Sequence, residues 1–186
     1  MNKQPATQLK QPESESELVT RALAGDGRAF RALVQPHLSM LYRVAYRYTY
    51  NKQLAEDAVQ EALLALYRAL GRYQPGTNLP AYMVAIAVPK ARTLARSERR
   101  VKAREEAVAS GGPTPGAAQE AEARALAARI ASALDRMPAK RQQAVVMRLD
   151  AGLSHAQIAS ALHSTEGSVR VMVHQGMKEL KELVGG

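Results

Sequence analysis

Four polar side chains between residues 56 and 61 have the types and the spacing of a docking surface. Asp57, Gln60 and Glu61 stand at i, i+3 and i+4, so on a helix they share one face, and Glu56 flanks them. The aliphatic positions of the same stretch fall on the opposite face. Carboxylates and an amide presented together suit a basic or polar partner. Taken alone, the segment is explained more simply as a solvated helix face.

A dense run of cations follows between Leu79 and Arg104. The run holds seven Lys or Arg residues against one acidic residue, Glu98, and so supplies +6 of the formal net charge of +9. A local block of positive charge suits a polyanion, most simply nucleic acid. The alternative is a solvated helical face, and the composition leaves both open.

The third candidate lies near the end of the chain. Ser154 stands three residues before Gln157, a capping-box pattern that begins a helix. After a short break, Thr165 is a suitable N-cap for a longer helix from Glu166 to about Leu183. Two helices in this order predict a helix-turn-helix, whose second helix can enter the major groove of DNA.

The elements that must position these residues are predicted to be helices. Ala, Leu, Arg and Glu dominate the 186 residues, and aromatic residues make up only 4%. Residues 53–70 carry the apolar stripe of a strong helix, with Leu63 and Tyr67 among the neighbours of that stripe. The turn Gly25-Asp26-Gly27 divides an earlier helical stretch, and the segment SGGPTPG at 110–116 interrupts any helix.

The expected fold class is therefore all-α, with two small helical domains joined by a flexible linker and a helix-turn-helix in the second domain. Residues 1–15 are expected to form a disordered tail, 16–104 the first domain, 105–121 the linker and 122–186 the second domain.

Several function classes find no support in the sequence. The four histidines are scattered, and no catalytic triad, metal-ligand spacing or phosphate loop is recognisable, so we expect no enzyme activity, no cofactor and no metal. The longest apolar run, Ala81 to Val88, is too short to cross a bilayer, so no membrane insertion is expected. The N-terminus lacks the apolar core of a signal peptide, and with no Cys in the chain we expect a cytoplasmic protein.

From about residue 17 to 184 the chain resembles the extracytoplasmic-function sigma factors, the small two-domain members of the sigma-70 family. Three segments carry the resemblance: AEDAVQEALLALYRAL at 55–70, LPAYMVAIAVPKARTLARSERR at 79–100 and LSHAQIASALHSTEGSVRVMVHQGMKEL at 153–180. The first segment is the most specific of the three. The resemblance implies a protein that directs core RNA polymerase to promoters, melts the start site and is held inactive by an anti-sigma factor.

The resemblance also implies which residues form each site. The set that docks on the clamp helices of the largest catalytic polymerase subunit, within sigma region 2, is Glu56, Asp57, Gln60 and Glu61. The set that contacts the −10 promoter DNA, also in region 2, is Tyr73, Asn78, Tyr82, Lys90, Arg92, Arg96, Arg99 and Arg100. The set that contacts the −35 DNA, in region 4, is Thr165, Ser168, Arg170, Val171, His174 and Gln175.

The sequence departs from the family pattern in the basic segment. Pro89 stands where the family has Asn, and Thr93 where it has Asp. A proline inside a helix removes a hydrogen bond and clashes with the preceding turn, which predicts a kink or break at Val88–Pro89. Tyr82 stands where the family usually has Trp, so it serves either as a base-stacking platform or as a core anchor.

Two other functions remain open at this level. One is a sigma-like protein that binds polymerase or an anti-sigma factor but opens promoters poorly, which Pro89 and the few cations after Glu166 favour. The other is a plain helix-turn-helix regulator of a double-stranded operator. Such a regulator does not need the polar face around Asp57.

Overall fold

The computed structural model describes residues 13–106 and 118–184, and within them every regular element is a helix, which confirms the all-α prediction. The first half contains α1 (Glu15–Leu23), α2 (Gly27–Val34), α3 (Leu38–Thr49), α4 (Lys52–Ala69) and α5 (Leu79–Glu106). The second half contains α6 (Ala118–Arg136), α7 (Ala139–Leu149), α8 (His155–Ala161) and α9 (Glu166–Val184). Short 3-10 turns follow α2 and α4, at Gln35–His37 and Leu70–Arg72.

The helices begin where polar side chains can cap them. Ser14 and Glu17 form a reciprocal capping box at the start of α1. The Asp26 side chain caps α2 and the Asn51 side chain caps α4, each by accepting hydrogen bonds from free backbone N–H groups. Gly25 makes the turn between α1 and α2 possible, because its φ of 91° lies in the left-handed region.

The core of the first half is the packing of α3, α4 and α5 against one another. Alanine supplies much of the buried face of α4, at positions 55, 58 and 62, and of α5, at positions 81, 87, 91 and 95. Small side chains let the two helix backbones approach closely, while Leu66, Met83 and Val84 fill the remaining volume and are at most 1% exposed. The predicted stripe of residues 53–70 therefore forms the inner face of α4.

Pro89 does not interrupt α5, which is continuous from Leu79 to Glu106. The predicted break at Val88–Pro89 is therefore wrong. Val88 before the proline and Ala91 after it are both buried, and α5 packs against α3 and α4 along this region, so packing outweighs the backbone hydrogen bond that proline removes. A bend within the continuous helix stays a prediction.

The helix-turn-helix of the second half forms as predicted. Ser154 and Gln157 make a capping box at the start of α8, and His163 turns the chain with a φ of 47° before α9. On α9, Gly176 is buried against α7, where an added Cβ would come within 2.4 Å of Val145 Cγ2. The absence of a side chain at Gly176 thus sets how closely α9 approaches α7.

The two halves pack against each other within the described residues. α5 contacts α7 and α8, α3 contacts α6, and the buried apolar side chains of both halves form one continuous cluster. α5 continues to Glu106 and α6 begins at Ala118, so both helices extend into the segment 105–121 that was expected as a linker. Residues 107–117, and residues 1–12 of the expected tail, lie outside the described residues.

Candidate functional site

The polar face of α4 lies on the surface as predicted. Glu56, Gln60 and Glu61 are exposed and Asp57 is half-buried, while the alanines on the other side of the helix are buried. The Gln53 side chain donates a hydrogen bond from Nε2 to Asp57 Oδ1 at 3.3 Å, which orients that carboxylate. The structure therefore brings the four predicted docking residues together on one surface.

Two large apolar side chains extend this surface toward the end of α4. Leu64 is 60% exposed and Tyr67 is 45% exposed, with the rings of Tyr67 and Phe30 in a T-shaped contact at a centroid distance of 5.2 Å. The sequence analysis missed Leu64 and placed Tyr67 beside the core stripe. The helical period was the available signal, because Leu64 stands two turns after Asp57 and so shares its face.

Tyr73, at the start of the loop before α5, is fixed in the fold. It is 6% exposed, and its hydroxyl donates a hydrogen bond to Glu15 Oε1 at 2.7 Å. Burial, together with the hydrogen bond to Glu15, raises the pKa of Tyr73 to about 12. Glu15 also accepts a hydrogen bond from the backbone N–H of Gly76, so this carboxylate holds the loop against α1. Tyr73 can stack on a DNA base only if it leaves these contacts.

The other two predicted contacts near this loop also have structural partners. The Asn78 side chain accepts a hydrogen bond from the Ala81 backbone N–H at 2.9 Å and so caps α5. Tyr82 is half-buried, donates its hydroxyl proton to the Ala69 carbonyl at 3.1 Å and lies 5.2 Å from the Tyr73 ring. These contacts favour the core-anchor interpretation of Tyr82.

The predicted phosphate contacts of α5 divide into three groups. Arg92, Arg96 and Arg99 stand at i, i+4 and i+7 and all approach the Asp135 carboxylate of α6, at distances of 2.9 to 3.4 Å. Lys90 lies 3.7 Å from Glu61 of α4, a loose pair that joins the basic helix to the polar face. Arg100 is exposed. The sequence predicted these cations as contacts but did not predict their pairing with Asp135, because no local pattern around Asp135 indicates that it lies near α5.

A second charged contact also joins the halves. The Arg47 side chain of α3 donates to both carboxylate oxygens of Asp150, which follows α7, and its Nη2 lies 2.7 Å from Asp150 Oδ1. The hydrogen bond to Asp150 raises the pKa of Arg47 above its ordinary value. Sequence analysis missed both residues, which are separated by 103 positions in the chain.

The outer face of α9 carries the predicted DNA-facing residues in solvent. Thr165 caps the helix by accepting a hydrogen bond from the Ser168 N–H at 3.2 Å. The Arg170 side chain is 68% exposed and pairs with Glu166 one turn earlier at 3.1 Å. Val171 is 54% exposed, and His174 and Gln175 are also exposed. The opposite face, with Val169, Val173 and Gly176, is buried, so α9 presents one mainly neutral face outward.

Comparisons with known proteins agree with this arrangement. The family model for Sigma-70 region 2 matches residues 33–101, which contain α3, α4 and most of α5. The family model for Sigma-70, region 4 matches residues 127–180, which contain most of α6 and α9 and all of α7 and α8. The two matches together cover well over half of the chain.

Individual relatives extend nearly over the full chain. The ECF RNA polymerase sigma factor SigD of Mycobacterium tuberculosis is 31% identical over 183 residues, covering 92% of this chain and 84% of its own. The structure of CnrH in complex with the cytosolic domain of CnrY matches with a TM-score of 0.64 at 22% identity, over 93% of this chain and 98% of that chain. The sigma factor RpoE of Bartonella quintana, solved with the anti-sigma factor NepR, matches with a TM-score of 0.51 at 20% identity, over 85% of this chain and 98% of that chain. At these identities the two structures show a shared fold.

No helix within residues 13–106 and 118–184 combines the length and the apolar character needed to cross a membrane.

Proposed function

Because the chain belongs to the extracytoplasmic-function group of the sigma-70 family and is an RNA polymerase sigma factor, we propose that it binds core polymerase through α4 and promoter DNA through α5 and α9. The observation that carries this proposal is the solvent-facing polar surface of α4, built on the same three-helix core as the cations of α5. Because α4 and α5 belong to one packed core, polymerase bound to α4 would hold α5 in a fixed position relative to the DNA.

The proposed partner of α4 is the clamp-helix pair of the largest catalytic polymerase subunit. Exposed Gln60 and Glu61, with the half-buried Asp57 carboxylate, offer acceptors and a donor to a basic or polar helix surface. Leu64 and Tyr67 next to them add exposed apolar area, and aromatic side chains often supply much of the affinity of an interface. We include both residues in the docking surface.

The proposed DNA contacts differ between the halves. On α5 the cations Lys90, Arg92, Arg96, Arg99 and Arg100 would bind phosphates of the −10 element, which gives affinity without sequence preference. On α9 the exposed Arg170 could donate two hydrogen bonds to a guanine in the −35 element, and Val171 could contact a thymine methyl group. Melting of the start site would follow once polymerase and both elements are engaged.

Inefficient promoter opening is a second candidate, because a specific observation favours it. Tyr73 and Asn78 are held by hydrogen bonds within the fold, and three α5 arginines are bound to Asp135. A protein in this state would bind polymerase yet open promoters slowly. The plain helix-turn-helix regulator explains neither the polar surface of α4 nor the region 2 match.

We further propose a regulatory rather than a catalytic role, a cytoplasmic location and control by an anti-sigma factor. The fold is one that has been solved with the anti-sigma factor NepR bound to RpoE, which supports such a partner for this chain. The inducing signal would act by releasing that partner.

Co-elution with purified core RNA polymerase tests the docking surface. The variant Asp57→Ala, Gln60→Ala, Glu61→Ala should lose co-elution, because the carboxylates and the amide are its main polar contacts. A control with the same change of charge, Glu122→Ala and Glu182→Ala, alters exposed acidic residues of the second half and should co-elute like the wild type. Binding of the triple variant at wild-type strength would refute the α4 surface.

A further inference from the structure

Three tyrosine side chains form a row along the outer side of α3. Tyr42, Tyr46 and Tyr50 stand at i, i+4 and i+8, so they follow one another at about one helix turn. The rings of Tyr42 and Tyr46 are stacked, with centroids 6.0 Å apart and 17° between their planes, and the rings of Tyr46 and Tyr50 are 5.8 Å apart. Tyr46 is 36% exposed and the other two are half-buried. This row, the tyrosine ladder, belongs neither to the docking surface of α4 nor to the proposed contacts of α5 and α9.

The ladder differs from the tyrosines that anchor the fold. Tyr73 is buried and donates its hydroxyl proton to Glu15. Tyr82 donates its hydroxyl proton to the Ala69 carbonyl. The ladder tyrosines instead meet one another through their rings, while the core contacts of α3 come from the other side of the helix. Anchoring of the fold therefore does not explain an exposed aromatic ring at position 46.

Tyr50 occupies a backbone position that favours glycine. It ends α3 with a φ of 46° and a ψ of 25°, in the left-handed region, and its N–H donates to the Tyr46 carbonyl. Glycine adopts this conformation at the end of a helix without the Cβ clash that a bulky residue meets. The Asp150 carboxylate and, to a lesser degree, the Tyr50 side chain raise the pKa of Arg47, which places the Tyr50 side chain beside that guanidinium. Helix termination alone does not call for a tyrosine here, and strain at a bulky residue suggests that its side chain has a function.

The charges beside the ladder are mainly positive. α3 contains Arg43 and Arg47 and no acidic residue. Arg43 is exposed next to the first ring in the sequence, and Lys52 is exposed two positions after the last ring. Arg47 pairs with Asp150, and the next acidic residue along the chain after α3 is Glu56. Aromatic surface flanked by cations suits an unpaired nucleic-acid strand, whose bases stack on the rings while its phosphates pair with the cations.

We propose that the tyrosine ladder binds single-stranded DNA, with bases stacked on Tyr46 and its neighbours and phosphates beside Arg43 and Lys52. This inference rests on the proposed function for the source of the strand, because opening of a promoter exposes unpaired bases. In a duplex the bases are paired and stacked on one another, so they offer no free face to the ladder. The ladder would therefore add affinity for the opened strand and none for the closed duplex, which favours the opened state.

Stacking on the ladder differs from phosphate binding by α5 in two measurable ways. Every base has an aromatic face, so the ladder should bind single strands with little preference for sequence. Stacking also releases no condensed cations, so its contribution should persist when salt weakens the phosphate contacts.

The direct test is the affinity of the full chain for a fluorescein-labelled oligothymidine strand of about 12 nucleotides. Tyr46→Leu keeps an apolar side chain on the helix but removes the aromatic face, and it should weaken binding by about fivefold or more. Tyr46→Phe keeps the ring, is the matched control and should bind within about twofold of the wild type. Neither variant should change the affinity for a labelled duplex. Equal binding of the single strand by Tyr46→Leu and Tyr46→Phe would overturn the proposal.

Tyr50→Gly separates binding from stability. Glycine relieves the left-handed backbone at this position, so the midpoint of urea denaturation should not fall. The same change removes the last ring of the ladder and should weaken binding of the single strand by about threefold or more. Single-strand binding at wild-type strength by folded Tyr50→Gly would show that the ring at this position is not part of a DNA surface and would count against the ladder.

Binding of an oligonucleotide requires no promoter, so the inference and the proposed function can fail separately. If Tyr46→Leu weakens single-strand binding but the wild type opens no promoter with core polymerase, the ladder stands and the proposed function fails. If the wild type opens promoters and Tyr46→Leu binds single strands and opens promoters equally well, the ladder is refuted and the proposed function survives. An RNA strand of the same length should bind no more tightly than the DNA strand, and tighter binding of RNA would overturn the assignment to DNA.

Discussion

The two helices proposed to contact DNA differ in what their charges bind. α5 is rich in cations, and three of them are bound to Asp135 of the other half. The outer face of α9 has Arg170 among mainly neutral side chains, and its partner Glu166 lies one turn earlier on the same helix. The number of cations in a segment is therefore a poor measure of the number that DNA can use.

The difference also separates two kinds of DNA contact. The cations of α5 would supply several phosphate contacts at once, whose strength depends on salt and not on sequence. The face of α9 is positioned and solvent-exposed already, so it would contribute base recognition with little salt dependence. Affinity would thus come mainly from α5, and −35 specificity from α9.

The largest difference is expected in the dependence of DNA affinity on salt. In a chain that already carries Asp135→Asn, the further change of Arg96, Arg99 and Arg100 to Ala removes three proposed phosphate contacts. Between roughly 50 and 200 mM NaCl, the affinity of the parent should fall about 40-fold more than that of the variant. Fluorescence anisotropy with a labelled duplex measures the affinities of the parent and of the variant at each salt concentration.

Arg170→Ala in the same parent is the matched comparison on α9. It removes one cation that is proposed to contact a base, so it should reduce the salt dependence by much less than one phosphate contact. Equal reductions per arginine on α5 and α9 would show that the helices bind DNA in the same way and would remove the contrast between them.

The packing of α9 against α7 should be sensitive to one added methyl group. Gly176→Ala places a Cβ 2.4 Å from Val145 Cγ2, and Val145 is fully buried, so the change should lower the free energy of unfolding by about 2 kcal/mol. Urea denaturation followed by circular dichroism measures the loss. Gly167→Ala, where an added Cβ meets nothing within 4 Å, is the control and should not destabilise the fold. A gain in stability for both variants would mean that helix propensity, and not the contact with α7, decides the effect.

Base recognition by α9 should depend on Arg170 at one position of the promoter. Arg170→Ala should reduce discrimination at a single base pair by about tenfold, because a bidentate contact to guanine is lost. The measurement compares the polymerase-bound protein on the preferred −35 element and on its single-base variants. A uniform loss across all variants would identify Arg170 as a phosphate contact instead.

The smallest effect is expected where the loop before α5 is fixed. Tyr73→Phe removes the hydrogen bond to Glu15 and should lower the free energy of unfolding by about 1 kcal/mol. The folded-state pKa of Tyr73 is raised, so this contribution is complete below pH 10 and is lost as the pH rises from about 10 through about 12. Wild type and Tyr73→Phe should therefore converge in stability over that range, as followed by urea denaturation at each pH. A constant difference would mean that the hydroxyl does not carry the effect.

Local patterns in the sequence were enough for much of the fold. The capping box of Ser154 and Gln157, the turn at Gly25 and the apolar stripe of α4 depend on residues within one or two helix turns, and all three are confirmed. Of the kink or break predicted at Val88–Pro89, the break is wrong because burial of Val88 and Ala91 holds α5 together, and that packing comes from α3 and α4.

The candidate site was predictable only in part, because some of its contacts also come from residues that are distant in the sequence. The shared face of Asp57, Gln60 and Glu61 follows from helical spacing alone. The engagement of Arg99 by Asp135 spans 36 positions and depends on how the halves pack, which no local pattern encodes. The sequence therefore could not show which of the predicted DNA contacts are already paired with an acidic residue of the same chain.

Run-off transcription with purified core polymerase on a library of genomic promoter fragments tests the proposed function most directly. We predict discrete transcripts that require this protein, that disappear with Asp57→Ala, Gln60→Ala, Glu61→Ala and that persist with the control Glu122→Ala, Glu182→Ala. Core polymerase that gives no additional transcript from any fragment when this protein is present would contradict its role in promoter recognition and opening.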